Sequence, residues 1–135
     1  MELKGKVAVV TGGAQGIGEA IAMCFAMEGA YVVVCDINVE KVREVSHIIT
    51  ALGLRSLWFE VDVTSISQVN NMVEKTAESF GHIDILVNNA GISDQIVPTT
   101  EQSIDTWQKI VDINLKGTYL CCKRIGKEMI KNNFG

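Results

Sequence analysis

Thr11-Gly12-Gly13-Ala14-Gln15-Gly16-Ile17-Gly18 follows directly on the apolar run Val7-Ala8-Val9-Val10. A buried strand that runs into a glycine-rich turn and then into a helix puts bare backbone amides and a helix N-terminus where a phosphate can sit. The stretch is read as a dinucleotide pyrophosphate site. Glycines can also serve only to make a tight strand-to-helix turn, so the reading has to be carried by what surrounds them.

Around this turn, short apolar runs alternate with longer amphipathic ones. The short runs cover residues 7–10, 31–35, 57–61 and 83–87, and they are rich in β-branched and aromatic side chains. Helical spacing covers residues 17–28, 39–52 and 67–80, and a fourth long stretch runs from about 104 to 131. Strands alternating with helices imply a parallel sheet with both faces covered, because parallel neighbours need crossover connections. The class is therefore α/β. Gly29, Gly53 and Gly81 stand where helices end, Asn38 and Ser65 or Ser67 where they begin, and Pro98 falls in the loop after the fourth strand. No linker, repeat or low-complexity tract interrupts the pattern, so residues 1–135 are read as one domain.

Hydrophobic residues make up 47% and charged residues 21%, a balance that excludes disorder. The net charge is −4 and no basic run exceeds Lys123-Arg124, which argues against nucleic-acid or anionic-membrane partners. The N-terminal segment lacks the apolar core of a signal peptide, and no segment has the length of a transmembrane helix. Cys24, Cys35, Cys121 and Cys122 lie in apolar patterns without metal-ligand spacing, so they read as reduced core cysteines of a cytoplasmic protein. His47 and His82 stand alone. Neither a metal site nor a nucleophilic triad is read.

In an open parallel sheet, ligands gather outside the carboxyl ends of the strands. The second strand ends in Cys35-Asp36-Ile37, and Asp36 follows Gly18 by 18 residues. That is close to the separation of about 20 at which a carboxylate reaches the ribose hydroxyls of NAD. A carboxylate repels a 2′-phosphate, and neither Gln15 nor Ile37 offers a positive charge, so NAD is favoured over NADP. Asp36 also suits the opening of the second helix, and the two roles are compatible. The third strand ends in Val61-Asp62-Val63, where a carboxylate can accept from an adenine amine while valines cover the ring; an Asp here is also ordinary turn chemistry. The fourth ends in Asn88-Asn89-Ala90-Gly91, which suits close backbone approach to a ligand or a plain Asn-rich turn.

Taken together, the glycine turn, Asp36, Asp62-Val63, the Asn88-Asn89-Ala90-Gly91 tetrad and Asn114 in Ile113-Asn114-Leu115-Lys116-Gly117 resemble the classical short-chain dehydrogenase/reductase family. The resemblance covers the whole chain, and it corresponds to the N-terminal, cofactor-binding portion of that family. It implies a Rossmann-like doubly wound sheet of about four strands in the order 3-2-1-4, incomplete relative to the family fold. It implies that Gly12, Gln15, Gly16, Ile17 and Gly18 border the pyrophosphate, and that Asp36 and Ile37 lie at the adenosine ribose. Asp62 and Val63 would hold the adenine, and Asn89, Ala90 and Gly91 the central cofactor region. Asn114 corresponds to the catalytic asparagine, which holds a water in the proton relay. The implied activity is hydride transfer between a nicotinamide cofactor and a secondary alcohol or ketone, in a protein expected to form homo-oligomers.

The family's Ser and Tyr-x-x-x-Lys lie beyond the fourth helix, on a fifth strand expected to begin at Phe134-Gly135 and on the helix that follows it. Tyr119-Leu120-Cys121-Cys122-Lys123 matches Tyr-x-x-x-Lys but sits only five residues after Asn114 on the same helix, so it is read as a packing Tyr and a solvated Lys. Two readings follow: a truncated NAD-dependent oxidoreductase, inactive alone, or a non-catalytic nucleotide-binding or assembly module. The first is favoured, because an unmasked fourth-strand edge and an apolar helix face with Ile110, Ile113, Leu120 and Ile125 are expected to stand open to water.

Overall fold

The computed structural model describes residues 1–133 and 135. Four strands, β1 (Val7–Thr11), β2 (Tyr31–Asp36), β3 (Ser56–Glu60) and β4 (Ile85–Val87), form a parallel sheet in the order β3-β2-β1-β4. This is the predicted class and strand order. In register, Val7 pairs with Tyr31 and Thr11 with Cys35, while Ala8 faces Ile85 and Val10 faces Val87.

Alternate residues of each strand feed two separate cores. Val7, Val9, Val33 and Cys35 pack with Val69, Met72 and Val73 of α3 (Ile66–Phe80) and with Cys121 and Ile125 of α5 (Thr118–Asn132). Ala8, Val10, Val32 and Val34 pack with Ala22 and Ala26 of α1 (Gly16–Met27) and with Val42, Val45 and Ile49 of α2 (Val39–Ala51). Each fully buried valine contributes about 1.5–3 kcal/mol through removal of apolar surface from water. Because both faces are covered, the strands are unbroken apolar runs rather than alternating ones. On α1 the buried stripe is Gly18, Ala22 and Ala26, small residues four apart that let the helix lie close to the sheet. Asn38 caps α2 by accepting the Lys41 N–H, and Ser65 caps α3 by accepting that of Gln68.

Three expectations need correction. The fourth strand starts at Ile85 rather than at residue 83, because the Asp84 side chain, not a ladder carbonyl, takes the N–H of Val7. The long C-terminal helix is divided into α4 (Ile104–Ile110), a π-helical segment (Val111–Gly117) and α5. Its apolar face is not open as a whole: Ile125 is fully buried and Ile113 packs on the core, whereas Ile104, Trp107, Leu115, Tyr119 and Ile130 are exposed. β4 does pair with β1 alone and forms one edge of the sheet, as expected. The expected start of a further strand at Phe134 lies outside the described residues.

The cysteines also divide. Cys35 and Cys121 are buried, but Cys24 and Cys122 are exposed, each turned away from the buried stripe of its helix. His82 is not isolated: its Nε2 lies 2.9 Å from Oδ2 of Asp84. Among the described residues no helix is long and apolar enough to cross a membrane.

Candidate cofactor site

The carboxyl end of β1 is tied to the carboxyl end of β4 through one hydroxyl. Thr11 is buried, and its Oγ1 donates to the Val87 carbonyl at 3.3 Å while accepting the N–H groups of Asn89 and Ala90, each at 3.1 Å. One donor and two acceptor positions use the whole capacity of a hydroxyl. Asn89 answers with its side chain, whose Nδ2 donates to the carbonyls of Thr11 (3.1 Å) and Gly12 (2.9 Å). The tetrad is therefore a brace for the glycine turn. Thr11 is the residue whose part is not evident in the sequence, since nothing local marks its hydroxyl as the hub.

This brace leaves no room for side chains at two glycines. A Cβ at Gly18 would lie 2.2 Å from the Gly12 carbonyl oxygen and 2.4 Å from Nδ2 of Asn89; one at Gly12, where φ is +62°, would lie 2.8 Å from Cα of Ala90. Gly16 differs. Its φ of +57° also lies in the left-handed region, but a Cβ there would meet nothing within 4 Å. Gly16 begins α1, no side chain caps that first turn, and Gln15, Gly16 and Ile17 are exposed. Free amides at the start of a 12-residue helix, beside open space over a glycine, make a cradle suited to an anion. The residues present thus fit a pyrophosphate.

At the end of β2, Asp36 links this turn to the next. Its Oδ2 accepts the Ala14 N–H at 3.2 Å and its Oδ1 accepts the Asn38 N–H at 3.0 Å, so the carboxylate spans the glycine turn and the start of α2. The contact with Asn38 sets Asp36 at the opening of α2, where Asn38 itself is the capping residue. Ile37 beside it is exposed and apolar.

After β3, Oδ1 of Asp62 accepts the N–H (2.9 Å) and hydroxyl (2.7 Å) of Thr64, while the Asp62 N–H donates to Oε1 of Gln68. Val63 is buried against the π-helical segment: a Cβ at Gly117 would lie 2.5 Å from its Cγ2, so only glycine lets the two meet. Within that segment Asn114 binds the backbone of Ile92 twice, accepting its N–H at 2.9 Å and donating to its carbonyl at 2.8 Å. Gly91 is pressed against the same amide, its Cβ position 3.3 Å from Oδ1. The structure therefore joins Asn114 to the strand-four end. The Tyr119 side chain is exposed, with the Lys123 ammonium 5.8 Å from its ring centroid. The two buried thiols are held in the neutral form. Burial pushes the Cys35 thiol far up, with Cys121 and Asp36 adding to it, and burial together with Cys122 pushes the Cys121 thiol up to about 11.

A groove of about 790 Å³ lies at the other end of the sheet, lined by Leu3, Lys6, Asp84, Ile85 and Met129 among others. None of the predicted site residues borders it, so volume alone is a poor guide to the chemistry here.

The model of the short chain dehydrogenase family matches residues 6–135. The chain belongs to that family. It is 41% identical over 133 residues to an uncharacterized oxidoreductase of Thermotoga maritima, covering 98% of this chain and 52% of that one. The structure of NAD+-bound xylitol dehydrogenase superposes with a TM-score of 0.96 at 31% identity, covering 100% of this chain and 52% of that chain. A metagenomic short-chain oxidoreductase in complex with NADP superposes at 0.92 with 33% identity, covering 100% of this chain and 61% of that one. Members of the family thus bind either dinucleotide, and this chain spans about half the length of the curated relatives it matches.

Proposed function

We propose that this chain is the cofactor-binding portion of an NAD-dependent oxidoreductase that moves hydride between a nicotinamide and a secondary alcohol or ketone. The observation that carries the reading is the uncapped start of α1 beside the open face of Gly16, braced from below by Thr11 and Asn89. In this reading Gly12, Gln15, Gly16, Ile17 and Gly18 surround the pyrophosphate. Asp36 and Ile37 border the adenosine ribose, and Asp62 and Val63 the adenine. Asn89, Ala90 and Gly91 adjoin the centre of the cofactor. Asn114 holds Ile92 in place beside them and is the candidate catalytic residue. When bound, the nicotinamide supplies the hydride-exchanging centre.

The preference for NAD rests on charge. The Asp36 carboxylate is fixed in place by two backbone amides, and its neighbour Ile37 is apolar, so a 2′-phosphate would meet a negative charge that Ile37 does nothing to offset. The serine and Tyr-x-x-x-Lys of the family pattern are absent from the residues that resemble it, so this chain by itself is read as inactive. A cytoplasmic homo-oligomer completes the reading, supported by four free thiols and by the exposed Trp107, Leu115 and Tyr119. Fluorescence titration with NADH tests the core of it: saturable binding is expected, and a signal that rises without saturation contradicts it.

A further inference from the structure

On the sheet face opposite α1 and α2, a groove of about 230 Å³ lies between α3 and α5. Ile66, Val69 and Asn70 line it from α3 at positions i, i+3 and i+4, so they share one face of that helix. Leu120, Lys123, Arg124 and Lys127 line it from α5 at i, i+3, i+4 and i+7, again one face. The groove is thus apolar through Ile66, Val69 and Leu120 and basic along its α5 side. No carboxylate lines it.

This charge runs against the composition of the chain. α5 carries four cations and a single carboxylate, Glu128, whereas the whole chain has a net charge of −4. Glu128 is shared by Arg124 at 3.4 Å and Lys131 at 3.6 Å. The Lys123 ammonium has only the Tyr119 ring beside it, and Lys127 has no hydrogen bond or ion pair among the described residues. Like charges along one helix face repel, and anions placed between them reverse that term. Across the groove, Ile66 is 61% exposed. An occupant that offers carboxylates to α5 and aliphatic groups to Ile66 satisfies both sides.

Size and shape decide what presents those groups. The volume falls below the roughly 300–1,000 Å³ of small-molecule pockets. The walls are two helices of 15 residues, each about 22 Å long, a setting for a third helix laid between two. We propose that the groove between α3 and α5 docks an acidic amphipathic helix of a partner protein, with its aliphatic residues against Ile66 and Leu120 and its carboxylates on Lys123, Arg124 and Lys127. A second copy of this chain in two-fold contact would instead set one basic rim against the other. The inference uses residues outside the proposed cofactor site and stands apart from that reading.

The test is fluorescence anisotropy of the 135-residue chain with a labelled helical peptide of about 14 residues, four turns, bearing leucine on one face and glutamate beside it. Saturable binding is expected. Peptides with glutamine for glutamate, or with serine for leucine, should each bind at least about tenfold more weakly. Lys123→Glu/Lys127→Glu should lose at least about tenfold with the melting midpoint unchanged, because both side chains are exposed. Lys127→Glu alone serves the same comparison if the double variant does not fold, and Ile66→Ser should weaken binding of the leucine peptide. Absence of saturable binding, equal binding of the serine peptide, or full binding by a folded charge-reversed variant overturns the inference. Self-association of the wild type that is lost in the charge-reversed variant would assign the groove to a second copy. Sedimentation with anionic phospholipid vesicles, lost in the same variant, would assign it to a membrane surface, and either result overturns the proposal.

Discussion

Asp84 accepts the backbone N–H of Val7 through Oδ2 at 2.8 Å while its own N–H donates to the Val7 carbonyl at 2.9 Å. The side chain thus stands in for a strand partner at the start of the central strand. Its Oδ1 also takes the Lys6 ammonium at 3.1 Å, and His82 approaches Oδ2 at 2.9 Å. Replacement by alanine would leave the fully buried Val7 N–H without an acceptor. Asp84→Ala should therefore cost about 1–3 kcal/mol, measured by urea unfolding. A cost below about 0.5 kcal/mol would contradict this role.

The same carboxylate sets an acid limb of stability. Burial raises the Asp84 pKa, but the Val7 N–H, Lys6 and His82 outweigh it and hold the group below the ordinary carboxylate range. A folded-state pKa lower than the unfolded one contributes stability that is fully present above the unfolded value, about 3.9, and is lost as pH falls through the folded value. In Asp84→Asn the unfolding free energy should fall less steeply below about pH 4 than in the wild type. Parallel acid limbs would contradict the assignment.

Gly16 and Gly18 should separate binding from folding. Gly18→Ala drives a methyl into the Gly12 carbonyl and Asn89, and should destabilise by about 3 kcal/mol, at the upper end of overpacking costs. Gly16→Ala meets no atom and carries only the penalty of a left-handed backbone, about 1–2 kcal/mol, yet its methyl occupies the anion cradle. Urea unfolding together with NADH titration should find Gly16→Ala folded and impaired in binding. Full binding by folded Gly16→Ala would argue against the cradle.

Much of this arrangement is legible in the sequence because strand-end chemistry is local. The glycine turn, Asp36, Asp62 and the tetrad each follow an apolar run, so the parallel direction of the strands brings them to the carboxyl end of the sheet. What escapes is set by tertiary contact. Residues 111–117 carry an ordinary helical pattern, and the π-helical turn goes with Asn114 seizing Ile92 and Gly117 meeting Val63, neither visible from spacing. Cys24 escapes for a different reason: it lies midway between Ala22 and Ala26 in sequence, hence on the opposite face of α1 from the buried stripe. The start of β4 escapes because a side chain replaces a backbone partner.

Thr11 can be tested by removing its hydroxyl alone. Thr11→Val keeps the shape but strips the acceptor from the Asn89 and Ala90 N–H groups, and should cost about 2 kcal/mol or more in unfolding free energy. Thr11→Ser should lie much closer to the wild type. A loss in Thr11→Ser with little or none in Thr11→Val would assign the effect to the methyl group rather than the hydroxyl.

Catalysis offers a sharper division. The 135-residue chain is expected to oxidise no secondary alcohol at a rate above background, and Tyr119→Phe should change nothing, because Tyr119 is an exposed side chain. Spectrophotometric assay of NADH formation checks both points. Turnover that Tyr119→Phe abolishes would reinstate Tyr119 and Lys123 as an acid/base pair.

The central claim is that the Gly12 to Gly18 turn and Asp36 form a site for NAD. Isothermal titration of the chain with NAD and NADP, repeated on Asp36→Ala, addresses it most directly. Saturable NAD binding, weaker NADP binding and a loss of about tenfold in NAD affinity on Asp36→Ala are the expected results. Equal or tighter binding of NADP, or no binding of either dinucleotide, would contradict it.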